Sequence, residues 1–203
     1  GQIDGSSIVI GEGEIDYSRV NNEEGEGIYH KLEIPAACTY HMILSDGTKV
    51  WLNAQSYLRY PVKFAKNERI VEVSGEAYFE VNSDVKRPFY VVTDGMKVKV
   101  TGTSFNVSQY SYDKFAQVTL VKGSVSVHLD NTEYKLTPGR QLYWNKESGN
   151  ALVKNVNTAE FTSWKNGVYS FKSRRLDEVL RVAERWYDIE FVFQNDYPRS
   201  VIY

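Results

Sequence analysis

The residues whose spacing comes nearest to a catalytic arrangement are Glu72, Glu76 and Glu80. They alternate with apolar residues, so they share one face of a predicted strand. Glycosidases need two carboxylates about 5–9.5 Å apart. Four strand residues separate neighbouring glutamates by about 13 Å. The pattern therefore indicates a solvated strand face, unless another strand supplies a closer carboxylate.

Other catalytic and metal-binding motifs are absent from the sequence. His30, His41 and His128 lie in unrelated segments, and no H-E-x-x-H occurs. The chain has neither the glycine-lysine loop that binds phosphates nor a G-x-S-x-G nucleophile motif. A single cysteine, Cys38, excludes an internal disulfide and a cysteine metal cluster. We therefore expect a protein that is not an enzyme and that has no cofactor or metal.

Composition limits the class of protein. The 203 residues are 42 % hydrophobic, enough for a sizeable core, and the formal charge of −2 lacks the basic excess of a nucleic-acid binder. Residues 1–30 contain seven acidic residues and one arginine. We expect this stretch to be a solvated, flexible arm.

The strongest strand signal runs from Val71 to Val81, where apolar and polar residues alternate. Asp94-Gly95 follows between two further strand-like runs, which is typical of a hairpin. The apolar positions change parity across residues 101–103, which predicts a bulge or tight bend at Gly102. The centre of the predicted core comprises Val73, Phe79, Val100, Phe105 and Val125.

The same pattern extends over residues 31–158. Asp46-Gly47 predicts another hairpin, and Pro61 predicts that its strand lies at a sheet edge. Glycines recur in V-S-G, V-T-G and V-K-G, beginning at Val73, Val100 and Val121. We expect a mainly β domain, either a twisted stack of short antiparallel strands or a two-layer sandwich.

The period changes in residues 159–203. Apolar residues alternate at 168–171, take helical spacing from Leu176 to Tyr187, and alternate again from Ile189 to Phe193. This order predicts a small βαβ unit. Four arginines lie off the apolar stripe of the helix, on a face expected to be solvated or to meet an acidic partner. They are Arg174, Arg175, Arg181 and Arg185.

Six ordered segments resemble the FecR family, the transmembrane regulators that relay a signal from outer-membrane TonB-dependent receptors to a cytoplasmic sigma factor. They cover roughly residues 44–141 and read LSDGTKVWLNAQSYLRYP, GEAYFEV, KRPFYV, VTGTSFNV, TLVKGSVSV and LTPGRQ. The βαβ unit resembles the first half of the family's C-terminal signalling domain, itself similar to the secretin and TonB short N-terminal domain. The family pattern continues with another helix and strands, so the unit at residues 159–203 is expected to be truncated.

This resemblance implies the periplasmic region of a single-pass inner-membrane anti-sigma factor. Its expected partners are the signalling domain of a TonB-dependent receptor and, through an upstream transmembrane helix and cytoplasmic segment, an extracytoplasmic-function sigma factor. An exposed strand edge in the βαβ unit would pair with the receptor. The candidate partner-binding residues are Arg174, Arg175, Arg181, Ile189, Glu190, Phe191, Val192 and Phe193.

The alternative function is a secreted or periplasmic β module that binds carbohydrate. Aromatic side chains on β domains often stack against sugars, and Trp51, Tyr57 and Trp144 are the candidates here. Trp51 has the parity opposite to its neighbour Val50, and we expect it to be a second-layer core residue.

Overall fold

Fifteen strands lie in the part of the chain that the structure, a computed structural model, describes: residues 27–172 and 175–192, with the backbone of 9–11 and 14–16. The strands are β1 Val9–Gly11, β2 Glu14–Asp16, β3 Tyr29–Glu33, β4 Tyr40–Ile43, β5 Lys49–Leu52, β6 Tyr57–Pro61, β7 Arg69–Glu80, β8 Phe89–Thr93, β9 Met96–Val100, β10 Ser104–Gln109, β11 Phe115–Lys122, β12 Val125–Leu129, β13 Thr132–Leu136, β14 Arg140–Asn145 and β15 Ala151–Asn155. The helices are α1 Ala159–Thr162, a 3-10 helix Ser163–Asn166, and α2 Leu176–Tyr187.

The strands form one continuous sheet that folds over into two layers and is nearly closed like a barrel, so the predicted mainly β fold is confirmed. Sheet A has the order β1-β2-β4-β5-β7-β10-β11-β14-β15, and sheet B has the order β3-β6-β7-β8-β9-β12-β13. Strand β7 belongs to both. Only β2–β4 and β7–β8 are parallel among the described pairs.

The core lies between the two layers. Phe79 stacks on Phe105 with ring centroids 5.3 Å apart, and it meets Phe89 of sheet B at 6.0 Å. Val73, Val100 and Val125 are also buried in this cluster, as predicted. Burying these side chains removes apolar surface from water, which is the main favourable term in folding.

Both predicted hairpins are present. Strands β4 and β5 pair around Asp46-Gly47, and Thr93 pairs with Met96 across Asp94-Gly95. The parity changes mark the places where the chain passes between layers. Residues 101–103 connect β9 of sheet B to β10 of sheet A, and Gly123 connects β11 of sheet A to β12 of sheet B.

The expectation for Pro61 is wrong. Strand β6 lies between β3 and β7 rather than at an edge. Pro61 is the last residue of β6, where its missing N–H leaves the preceding ladder bonds intact. In the region expected to be a flexible arm, β1 and β2 pair with each other and β2 pairs with β4.

The helix of the predicted βαβ unit is present as α2, but its two strands are not formed in the described residues. Residues 168–171 and 189–192 have no strand structure, and Val168 and Val192 are 57 % and 79 % exposed. The helices instead pack on the outer face of sheet A, through Trp164 and Trp186. Asp188, with φ of +53°, ends α2. No helix in the described ranges is long and apolar enough to cross a membrane.

The position of Phe79 generates the first stability prediction. Phe79→Ala should lower the free energy of unfolding by about 3–5 kcal/mol, because it leaves a cavity between the layers. Urea unfolding of the variant measures this loss. Leu152→Ala, at a side chain that is 52 % exposed, is the control. A loss below about 1 kcal/mol for Phe79→Ala would contradict its place in the core.

Gly75 generates the second prediction. Its φ is +96°, and a Cβ added there would lie 2.2 Å from Ser56 Oγ. Gly139 has a similar φ of +82° with no heavy atom within 4 Å of its added Cβ. Gly139→Ala should cost about 1–2 kcal/mol for the left-handed backbone alone. Gly75→Ala should cost about 1–3 kcal/mol more because of the overlap. If urea melts gave the two variants equal losses of unfolding free energy, Ser56 would have moved to accommodate the new side chain without cost.

Candidate functional site at the C-terminal helices

The C-terminal helices cover the outer face of sheet A. Trp164 of the 3-10 helix is only 2 % exposed. The ammonium group of Lys165 lies 4.9 Å from the ring centroid of Trp51 and 4.6 Å from that of Tyr78. Such cation–π contacts favour close packing of the helix on the aromatic side chains of the sheet. Trp51 is therefore partly covered on the outer face, not part of the core as expected.

A carboxylate lies beneath these helices. Glu76 of β7 accepts hydrogen bonds from Asn106 Nδ2 at 2.8 Å and from Asn53 Nδ2 at 2.7 Å. It therefore does not belong to a solvated strand face. A carboxylate only accepts, so both amides must present their nitrogen to it and their oxygen elsewhere.

Each amide oxygen receives an indole N–H from a different helix. Trp164 Nε1 donates to Asn106 Oδ1 at 3.1 Å, and Trp186 Nε1 donates to Asn53 Oδ1 at 2.8 Å. We call these five residues the Glu76 cluster. Through it, one carboxylate contacts both asparagines that bind the helices to the sheet, and the Ala54 amide, which donates to Asn53 Oδ1 at 2.8 Å, also orients Asn53.

Tyr169 extends the Glu76 cluster. Its hydroxyl accepts a second bond from Asn53 Nδ2 at 2.5 Å, and its ring meets Trp186 edge to face with centroids 4.3 Å apart. Burial raises the pKa of the Tyr169 phenol, so the hydroxyl stays neutral. The alternation seen at residues 168–171 thus reflects Tyr169 pointing towards the sheet.

Arg185 binds the end of α2 to the loops of the β domain. Its guanidinium lies 4.0 Å from the ring centroid of Tyr110, and Nη1 donates to Asp113 Oδ2 at 3.2 Å. Its carbonyl oxygen accepts a bond from the Ala37 amide at 2.9 Å. The expectation that Arg185 faces solvent or an external partner is wrong, because Asp113 of this chain is its acidic partner.

A cavity of about 120 Å³ remains between α2 and sheet A. Its lining includes Glu76, Asp113, Tyr143, Phe171 and Val182. Within the described ranges, no group of three or more histidine, cysteine, aspartate or glutamate residues could bind a metal ion. The arrangement is suited to holding one structural element against another.

The candidate partner-binding residues fall into two groups. Arg175 donates to Asp177 at 2.9 Å, and Arg181 donates to Asp177 at 3.1 Å while lying 3.8 Å from Asp113, so both pair within the chain. Ile189, Glu190, Phe191 and Val192 follow α2 and are exposed. With Tyr187 they form an exposed segment, residues 187–192, that we call the C-terminal ledge. Arg174 and Phe193 lie outside the described residues.

The three aromatic residues considered for carbohydrate binding do not form one platform. Trp51 lies on the outer face of sheet A, whereas Trp144 packs against the core on its inner face. Tyr57 lies on the outer face of sheet B.

Sequence reasoning missed Asn53 and Asn106. Both lie at or beside strands, in W-L-N-A and S-F-N-V, although asparagine is disfavoured there. Both are almost fully buried, at 1 % and 2 % exposure. An asparagine among good strand formers is a weak signal of a side-chain hydrogen bond, but it does not identify the partner.

Glu76 generates a prediction on pH dependence. Burial raises its pKa above the ordinary value, although the bonds from Asn106 and Asn53 oppose this. A raised folded-state pKa stabilises the fold at low pH, and this contribution is lost as the pH rises through that pKa. The free energy of unfolding of the wild type, relative to Glu76→Gln, should therefore fall as the pH rises from about 4 and then level off.

Urea melts at a series of pH values measure this difference. Glu72→Gln, on the same strand face beside Arg59, is the matched control. If the free energies of unfolding of the wild type and of Glu76→Gln changed in parallel from about pH 4 to about pH 8, the pKa of Glu76 would not be raised.

Comparison with known proteins gives one family and one fold. Residues 30–126 match the sequence profile of the family described as FecR protein. Two crystal structures of a candidate anti-sigma factor from Parabacteroides distasonis are similar to this chain. One has 33 % identity and a TM-score of 0.82 over 86 % of this chain and 82 % of that one. The other has 34 % identity and a TM-score of 0.78 over 85 % and 83 %.

No curated protein matches the chain. The family match begins near β3 and ends in β12, so it includes the bend in β7 and both asparagines of the Glu76 cluster. The similarity to the two crystal structures extends over most of both chains, at an identity at which fold and family are shared. The chain belongs to the FecR family.

Proposed function

We propose that this chain is the periplasmic, signal-transducing region of a FecR-type anti-sigma factor. It relays occupancy of an outer-membrane TonB-dependent receptor to a cytoplasmic extracytoplasmic-function sigma factor. In this proposal, a transmembrane helix and a cytoplasmic segment on the N-terminal side reach the sigma factor. Membership of the FecR family and similarity to a candidate anti-sigma factor support a regulatory, non-enzymatic role.

The observation that carries the proposal is the combination of a bound helix with an exposed apolar segment directly after it. Tyr187 is 68 % exposed, Ile189 46 % and Val192 79 %. Exposed apolar residues clustered next to a structured helix are typical of a protein-binding surface. The C-terminal ledge is therefore the proposed contact with the receptor's signalling domain.

Contacts within the chain supply a route from this ledge to the rest of the domain. The Phe191 amide donates to Glu184 Oε1 of α2 at 3.2 Å. One residue further along α2, the Arg185 carbonyl accepts from Ala37, in the connection between β3 and β4. A displacement of α2 would thus reach the N-terminal side of the β domain, the direction in which the signal has to travel.

Residues 189–192 form no strand pair in the described part of the chain, and the amides of Ile189 and Phe191 donate to Glu184. In this proposal the opposite edge, which carries the Val192 amide, adds to a strand of the partner. Val192→Pro should abolish binding of the receptor signalling domain, because it removes a backbone donor from that strand. Isothermal titration calorimetry measures the affinity. Unchanged affinity in a folded Val192→Pro variant would exclude pairing at this edge.

A second pair of variants tests the apolar contact itself. Val192 and Val85 are exposed to the same extent, 79 % and 78 %, but Val85 lies in the connection between β7 and β8. Val192→Asp should weaken binding at least tenfold, whereas Val85→Asp should not change it. Equal effects of the two substitutions would show that the ledge has no special role.

The arginines before α2 lead to a separate prediction on the rate of association with the receptor and its dependence on salt. Arg174→Glu together with Arg175→Glu should mainly slow association and reduce its dependence on salt, because charges at an interface rim act on encounter more than on dissociation. Stopped-flow or surface-plasmon measurements at several salt concentrations separate the two rates. A change confined to the dissociation rate would contradict a rim position.

A further inference from the structure

Glu76 forms no ion pair with a lysine or arginine in the described part of the chain. Its two asparagine partners are neutral. Arg185 acts on it through its charge, but that guanidinium is already paired with Asp113. Burial raises the pKa of Glu76, because a covered carboxylate without a cation in contact is costly to ionise. A cation that reached this side chain would offset that cost.

The cavity between α2 and sheet A gives a ligand access to Glu76. This carboxylate belongs to the cavity lining, and it is only partly covered although the helices lie above it. The lining contains four carboxylates and three cationic side chains, so its net formal charge is −1. Two of those cations, Arg181 and Arg185, are already paired with Asp113, and the third pairs with a carboxylate outside the lining. The charges of the lining therefore favour a positive ligand over a negative one.

The cavity is also rich in aromatic side chains. The six that line it are Phe115, Tyr143, Phe161, Trp164, Tyr169 and Phe171. Phe115 and Tyr143 are stacked with ring centroids 4.7 Å apart, and Tyr169 and Phe171 are stacked at 5.8 Å. Aromatic rings attract organic cations, and groups of such rings recognise quaternary ammonium ions. The alkyl groups of such an ion also have apolar surface that the rings can cover, which a hydrated metal ion lacks.

The volume of the cavity limits the size of the ligand. It is about 120 Å³, and a water molecule in the liquid occupies about 30 Å³. An ion of about four or five non-hydrogen atoms therefore fits. We propose that this cavity binds a small alkylammonium ion, with Glu76 as its counter-charge and the aromatic side chains around its alkyl groups. The site lies within this chain and does not depend on the receptor relay.

Titration of the full chain with tetramethylammonium chloride, followed by NMR, tests this. A pH of about 8 keeps the carboxylate of Glu76 ionised more fully than neutral pH does, and sodium chloride holds the ionic strength constant. The indole N–H signal of Trp164 should shift and saturate, with a dissociation constant of about 1 mM or below. The matched control ligand is tert-butanol, which has the same number of non-hydrogen atoms and a similar shape but no charge. It should bind about tenfold more weakly.

Two variants identify the site. Glu76→Gln retains the shape of the side chain and removes its charge, so tetramethylammonium should bind about tenfold more weakly while tert-butanol should bind as before. Glu72→Gln, on the same strand but outside the cavity lining, is the matched control and should change neither affinity. Val182→Phe leaves the Glu76 cluster intact and fills the cavity, so it should abolish binding of both ligands. Near-UV circular dichroism checks that each variant is folded.

Three results would overturn the proposal. Equal affinities for tetramethylammonium and tert-butanol would mean that the cavity does not recognise charge. Equal effects of Glu76→Gln and Glu72→Gln would mean that Glu76 is not the counter-charge. Shifts that do not saturate, or that persist in a folded Val182→Phe variant, would place the ion elsewhere. Because no receptor is present, none of these results bears on receptor binding, which the calorimetric titration tests separately.

Discussion

Strand β7 pairs with strands of both sheets, and the left-handed backbone at Gly75 makes this possible. Its first half pairs with β6 and β8, and its second half pairs with β5 and β10. A side chain at position 75 would overlap Ser56, whose hydroxyl instead accepts the Glu76 amide at 2.8 Å. The bend that creates the sandwich is therefore also what places Glu76 on the outer face, beneath the helices.

The first residue of β7, Arg69, forms a buried ion pair with Asp46. Arg69 Nη1 donates to Asp46 Oδ2 at 2.6 Å and to the Asn82 carbonyl at 2.8 Å, and its Nε donates to the Arg87 carbonyl at 2.9 Å. Burying a charged pair costs solvation, so the pair by itself is weak evidence of net stability. Here the pair connects the β4–β5 hairpin to both ends of the loop between β7 and β8. With Gly75, it determines where β7 can lie.

Local patterns in the sequence were sufficient to predict much of the structure of the β domain. The Asp-Gly pairs located two hairpins, and the alternation around Phe79 located the core, because both depend on neighbouring residues. The Glu76 cluster joins positions 53, 76, 106, 164 and 186, and alternation shows only that Glu76 faces away from the core. What covers that face is a tertiary property. The same limit explains Arg185, whose partner Asp113 lies 72 positions earlier.

The predicted βαβ unit shows how tertiary context overrides a correct pattern. The helical period from Leu176 to Tyr187 was read correctly, and Tyr169 does alternate in burial with its neighbours. Alternation, however, reports only that one side of a segment is covered. Here the cover is an existing sheet rather than a strand partner, so the segment needs no ladder of its own.

The chemistry of the Glu76 cluster determines what the cluster contributes to the attachment of the helices. Covering Glu76 removes water from a carboxylate, and the raised pKa records that cost. The two amide bonds offset part of it, and each is worth more to a charged acceptor than to a neutral one. These bonds add to the burial of the Trp164 ring and to the contact of the Arg185 guanidinium with the Tyr110 ring, so polar and aromatic contacts together attach the helices to the β domain.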